Sequence, residues 1–174
     1  MFQKTLVCLD GSKLAEEILP YAAEHSGGCK SELILLQVIS THITIPSPES
    51  THIFTLGLHS KPDQIRTTDI GKSTTLEPKA GLQLREIERQ QGEAQVYLES
   101  LADRFRSQDL KVRALTLEGE AAETILNYAL NNGISLIALT THGKSGLKHG
   151  AFGRVALAIL KESEIPVLIV KPKG

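Results

Sequence analysis

Three scarcities narrow the field before any motif is read. Only two cysteines occur in the 174 residues, Cys8 and Cys29, both in or near apolar segments and without C-x-x-C spacing. That excludes a disulfide framework, and two reduced, buried thiols are expected, since a lone Cys in a strand is among the most buried residue types. An excess of one charge is missing as well. Nineteen Lys and Arg oppose 20 Asp and Glu for a formal net charge of −1, whereas non-specific nucleic-acid binding wants a clear basic surplus. Long hydrophobic runs are absent: none approaches the ~20 residues that span a bilayer, and the N-terminus enters a strand pattern without a signal-peptide pattern. A cytoplasmic chain with no nucleic-acid or membrane partner is expected. The remainder is ordinary for a soluble protein, with 41% hydrophobic and 22% charged residues. The length suits one domain over 1–174 with a real core.

The most loaded stretch is LTTHGKSGLKHGAFGRVALA, Leu139 to Ala158. It leaves an apolar run, Ile134 to Thr140, crosses a loop holding Gly143, Gly146, Gly150 and Gly153, and enters a helical pattern at Val155. Glycine lets backbone amides approach an anion, and a helix N-terminus offers unpaired N–H groups and partial positive charge. Lys144, Lys148 and Arg154 add full charges, with His142 and His149 beside them. The loop matches neither GxxxxGK[ST] nor GxGxxG, so a plain strand-to-helix connection remains open beside phosphate binding.

Taken in order, Lys4 to Leu9 is a short apolar strand of the kind covered on both faces. Asp10-Gly11-Ser12 comes next, with Ser12 placed as an N-cap. Leu14, Ile18 and Ala22 repeat at helical spacing; Pro20 should kink or end that helix, and Gly27-Gly28 should stop it. Glu32 to Ile39 reads as a second strand. From Ser40 to Ala80 the chain is rich in Ser, Thr, Pro and His, and roughly forty residues without regular pattern suggest a lid or docking arm. His42, His52 and His59 lie there with no metal-site spacing, and no metal is expected. Ala94, Leu98, Leu101 and Phe105 then form a helical stripe that GLQLREIERQQ extends on its N-terminal side. Val112 to Leu117 reads as a strand, Ala121 to Ala129 as a helix with Gly133 beyond its end, and Val167 to Val170 as the last strand. Alternating strands and helices call for an α/β fold: a mainly parallel sheet with helices on both faces, binding ligands beyond the carboxyl ends of its strands.

The glycine loop resembles the signature of the universal stress protein family, Gly-x2-Gly-x9-Gly-(Ser/Thr). Gly143 and Gly153 occupy its second and third glycines, Thr140 replaces the first, and Arg154 replaces the closing hydroxyl residue. LVCLDGS at Leu6 to Ser12, LLQVI at Leu35 to Ile39 and EIPVLIV at Glu164 to Val170 are similar to the family's first, second and last strands. The resemblance covers about 1–40 and 93–172 and leaves an insertion at about 40–92. It implies an open five-stranded parallel sheet of order 3-2-1-4-5, Rossmann-like and similar to the adenine nucleotide alpha hydrolases. In that order the Asp10 and Gly143 loops meet.

The resemblance also implies an adenine-nucleotide site, for ATP with or without Mg2+. Its residues would be Leu9, Asp10, Val38, Leu139, Thr140, Gly143, Lys144, Gly153, Arg154 and Val155. Adenine would lie among Leu9, Val38 and Leu139, Asp10 would take the ribose or base edge, and the amides of Gly143, Gly153 and Arg154 would hold phosphates. Arg154 either replaces the lost hydroxyl as a bidentate ligand or fills the phosphate space. The family further implies a homodimer through Val167 to Val170. The chain reads as a stress sensor or regulator with at most weak ATP hydrolysis, because no spacing supports a catalytic dyad from Asp10 and Ser12 or Thr141 and His142. The other reading is a family member without nucleotide, acting through protein contacts with 40–92 as its arm.

Overall fold

The computed structural model describes residues 3–40, 79–143 and 152–173. Five strands, β1 Lys4–Leu9, β2 Glu32–Ile39, β3 Val112–Glu118, β4 Leu136–Thr140 and β5 Val167–Val170, form one sheet. Its order is β3-β2-β1-β4-β5 and every pairing is parallel. Between them run α1 Lys13–Glu16, α2 Leu19–Cys29, α3 Lys79–Arg106, α4 Ala121–Asn131 and α5 Arg154–Glu162. No helix among the described residues is long and apolar enough to cross a membrane.

The near-continuous apolar strands make sense once both faces of the sheet are traced. Successive side chains point to opposite faces. On one face Val7, Leu9, Leu33 and Leu35 pack against Ile18, Leu19 and Ala22 and against Leu98, Leu101, Ala102 and Phe105 of α3. On the other, Leu6, Ile34, Leu36, Ile137 and Leu139 pack against Ala122, Ile125 and Ala129 of α4 and Ala156 and Ile159 of α5. The two faces are thus sealed by different helices. Strand ends and their loops are left to collect at one rim.

Several local expectations are settled in detail. Pro20 does divide the first helical segment: α1 ends at Glu16, and Pro20 sits in the first turn of α2, where its missing N–H costs no bond. Gly27-Gly28, by contrast, does not stop α2, which runs on to Cys29 and ends at Lys30 in the left-handed region (φ 52°). The cause is packing at the last turn. Ser26 is fully buried, and its carbonyl takes the N–H of Ser31 at 3.0 Å, so the chain reverses after the buried turn rather than at the glycines. Cys29 therefore lies exposed at the helix end, not buried as expected.

The helix α3 is continuous through Gly92 for 28 residues, about 42 Å at 1.5 Å per residue. Its stripe of Ala94, Leu98, Leu101 and Phe105 is buried as the spacing requires, and Ala102 joins it. Just before Gly92, Arg89 bonds Glu86 and Glu93 across successive turns and lowers the Glu86 carboxyl to about 2. Of the 40–92 insertion, residues 79–92 are thus helix, whereas 41–78, with His42, His52 and His59, lie outside the described residues.

Candidate functional site

Parallel pairing of β1 with β4, Thr5 opposite Leu136 and Val7 opposite Ala138, brings the loops after these strands together. After β1 the chain must turn at once into α1. Gly11 does so at φ 81°, which glycine alone adopts without strain. Asp10 Oδ1 accepts the N–H of Ser12 at 3.0 Å, and Ser12 Oγ caps α1 by accepting the N–H of Ala15 at 3.1 Å. The second oxygen, Oδ2, lies against the Cα of Gly143. A methyl group added to Gly143 would overlap it and stand 2.6 Å from Asp10 Cγ. Glycine is required at 143 for close approach, since its φ is not positive. Asp10 therefore holds its own turn and braces the other loop. From α3, Tyr97 donates its hydroxyl to Glu16 Oε1 at 3.3 Å; burial raises this phenol's pKa, as do the charges of Glu16 and Asp10.

The loop after β4 is locked by its own polar atoms. Thr140 Oγ1 donates to the carbonyl of His142 at 2.7 Å, and the N–H of Thr141 donates to Val170 O at 2.9 Å. Thr141 Oγ1 lies 2.9 Å from His142 Nδ1. The N–H of Gly153 donates to Thr141 O at 2.8 Å. One expectation changes as a result. The amide of Gly153 is committed inside the protein, so it is not a phosphate donor. Thr140 at the first glycine position turns its hydroxyl onto the backbone, and the substitution leaves the loop intact.

Gly153 then serves as N-cap of α5 with no side chain to satisfy the first turn. A side chain there would approach Thr141 O to 3.0 Å. The N–H groups of Arg154, Val155 and Ala156 consequently have no partner within the helix, and the helix dipole adds partial positive charge beside them. Arg154 itself is exposed at the first helical position. It forms part of the wall of an open cavity and does not plug it.

That cavity, about 410 Å³, is walled by both loops and by the strand ends. Leu9, Asp10, Val38, Leu139, Thr140, Gly143, Gly153, Arg154 and Val155 all line it. Lys144, with Lys148 and His149, lies outside the described residues. The apolar end differs from expectation: Leu9 packs into the core on the α3 side of the sheet, while Cys8, Val38 and Leu139 belong with Ile125 to the other side. Cys8, Leu36, Val38, Ile125 and Leu139 thus form the apolar wall. Ala121 and Ile125 enter from α4, which no loop motif announces. Thr141, His142 and Phe152 line the cavity as well, though the glycine spacing does not mark them.

Cys8 sits half-buried in that apolar wall, not fully buried as expected, and desolvation pushes its pKa up from 9.0 to about 12. Two outcomes are expected. Iodoacetamide at pH 8 should alkylate the exposed Cys29 first and leave Cys8 unmodified until the protein unfolds, as peptide mapping will show. Because the folded-state pKa is the higher one, stability from the neutral thiol is intact below pH 9 and is lost as pH rises toward 12.

Comparison with known proteins agrees with this fold. The model of the universal stress protein family matches residues 60–171, well into the stretch that the sequence resemblance left out. The chain is 29% identical over 171 residues to the universal stress protein YxiE of Bacillus subtilis, covering 98% of this chain and all of that one. Among solved structures, universal stress protein UspA of Lactobacillus plantarum superposes with a TM-score of 0.72 at 13% identity, covering 98% of each chain. An Arabidopsis thaliana family protein with AMP bound gives 0.59 at 14% identity, over 99% of this chain and 93% of that one. A universal stress protein in complex with cAMP gives 0.55 at 15%, over 99% and 98%.

Proposed function

Since the chain belongs to the universal stress protein family, we propose that its cavity binds an adenine nucleotide, ATP in the first place, and that the protein acts as a nucleotide-responsive stress regulator. The observation that carries this reading is the uncapped first turn of α5 opening onto a cavity with an apolar far wall. One end suits a planar base, the other an anion. Solved relatives holding AMP and cAMP support the choice of ligand class. In this reading adenine lies against Val38, Ile125 and Leu139, Asp10 accepts from ribose hydroxyls, and the amides of Arg154, Val155 and Ala156 with the Arg154 guanidinium hold the phosphates. Mg2+ would arrive as the counter-ion of ATP, with Asp10 the one carboxylate among the described lining residues.

Isothermal titration of MgATP tests this. Micromolar binding is expected, weakened about tenfold by Arg154→Ala, as befits loss of a charge-assisted hydrogen bond. No heat at millimolar ATP would contradict it. A cytoplasmic homodimer completes the proposal. β5 ends the sheet, and its outer side is unpaired among the described residues while Val167 to Val170 remain half-exposed. Pairing with a second copy would cover that edge. Sedimentation should give a dimer at micromolar concentration, and a monomer there would overturn this part.

A further inference from the structure

The side chain just before Gly143 has so far served only to lock its own loop. His142 is 8% exposed, and it lines the cavity one residue before Gly143. Its ring is not loose: Nδ1 lies 2.9 Å from Thr141 Oγ1, and the carbonyl of His142 is held by Thr140 Oγ1. Its Cα stands 3.9 Å from where a side chain on Gly153 would begin, so the residue is packed onto the N-cap of α5. Among the described residues nothing bonds Nε2.

We infer that His142 is a phosphate ligand of the cavity, donating through Nε2–H while the Thr141 hydroxyl donates to Nδ1. The 2.9 Å contact admits either tautomer, and the anion chooses between them. A neutral imidazole carries one N–H, and the Thr141 hydroxyl has one proton to give. With that proton directed at Nδ1, the ring proton resides on Nε2, and a neutral ring becomes a directed donor without gaining charge. An anion at the α5 N-terminus selects this tautomer, because the other one would present a lone pair to it. The need for such a donor is visible in the wall. Arg154 stands where the family pattern has a hydroxyl, the Gly153 amide is already committed, and the Asp10 carboxylate faces the same space. A buried donor beside the first turn of α5 restores what the loop lacks.

This inference rests on the nucleotide reading, and adenosine with AMP separates the two, since they differ by one phosphate. Calorimetric titration of both into the unmodified protein, His142→Ala, His142→Gln and Thr141→Val is the test. His142→Ala should weaken AMP about tenfold and leave adenosine within about twofold. His142→Gln should recover part of the loss through its amide N–H, and Thr141→Val should show a smaller loss confined to AMP. Should His142→Ala not fold, ¹⁵N spectra of the unmodified protein decide: the His142 Nε2 resonance should move with AMP and not with adenosine. An equal loss of both ligands in His142→Ala would reduce the residue to a structural part, and an unchanged AMP-to-adenosine ratio would remove it from the site. If the unmodified protein binds neither AMP nor ATP, the nucleotide reading fails and this inference falls with it.

Discussion

Replacing Gly143 by Val should abolish nucleotide binding, with affinity falling at least about a hundredfold in calorimetric titration. The reason is local and severe. Any β-carbon at 143 overlaps Asp10 Oδ2, and Asp10 is itself anchored through Oδ1 to the N–H of Ser12. The carboxylate cannot retreat without opening the Gly11 turn and disturbing the cap of α1. Either the Asp10 loop or the Thr140–Gly143 loop must move, and the cavity lies between them. The two residues should consequently be coupled. In an Asp10→Ala background the carboxylate is gone, and Gly143→Ala should cost little beyond Asp10→Ala alone. Additive losses would mean that the two loops do not meet as described.

The second large effect concerns stability. Leu98→Ala should destabilise the protein by about 3 kcal/mol, as deletion of a fully buried leucine side chain does, lowering the melting temperature by about 10 °C for a chain of this size. Leu98 is fully buried between α3 and the sheet, together with Leu33, Leu35, Leu101 and Phe105. Val96, two residues earlier on the same helix, is 72% exposed, and Val96→Ala should stay within about 0.5 kcal/mol. A loss below about 1 kcal/mol at Leu98, by chemical denaturation, would show that α3 does not seal this face.

Some of this architecture is legible in the sequence and some is not, and the difference lies in where the information resides. Strand runs such as Leu33 to Leu36 announce themselves because a parallel sheet buries both faces, and the Leu98 stripe because one helix face has a fixed period. The Asp-Gly-Ser turn declares its own chemistry, with a glycine at positive φ between an Asx acceptor and a cap. The end of α2 does not, since two glycines carry less weight than the buried Ser26 turn, and that burial depends on contacts remote in sequence. The same is true of Cys29. At the site, spacing points to Gly143 and Gly153 but cannot tell which amides remain available. The bond from Gly153 N–H to Thr141 O closes a tertiary loop that no spacing encodes. Ala121 and Ile125 line the cavity because α4 packs beside α5 on the same face of the sheet, a fact of assembly and not of motif.

Departures from the family pattern are best judged in the same physical terms. Thr140 looks like a loss of glycine, yet its hydroxyl binds the loop to itself at the His142 carbonyl, and its side chain fits there. Arg154 looks like a loss of a hydroxyl donor, yet at the first position of α5 it sets a full positive charge beside three open amides and remains exposed. Neither change closes the cavity at the end of β4.

The central claim, that an adenine nucleotide occupies the cavity with its phosphate at the start of α5, is tested most directly by amide ¹H–¹⁵N spectra of the intact protein titrated with AMP. Saturable shifts of the Arg154, Val155, Ala156 and Gly143 amides are expected, with those of Lys30 and Lys111 at the far end of the sheet unmoved. Shifts gathered at that far end, or none at millimolar AMP, would contradict it.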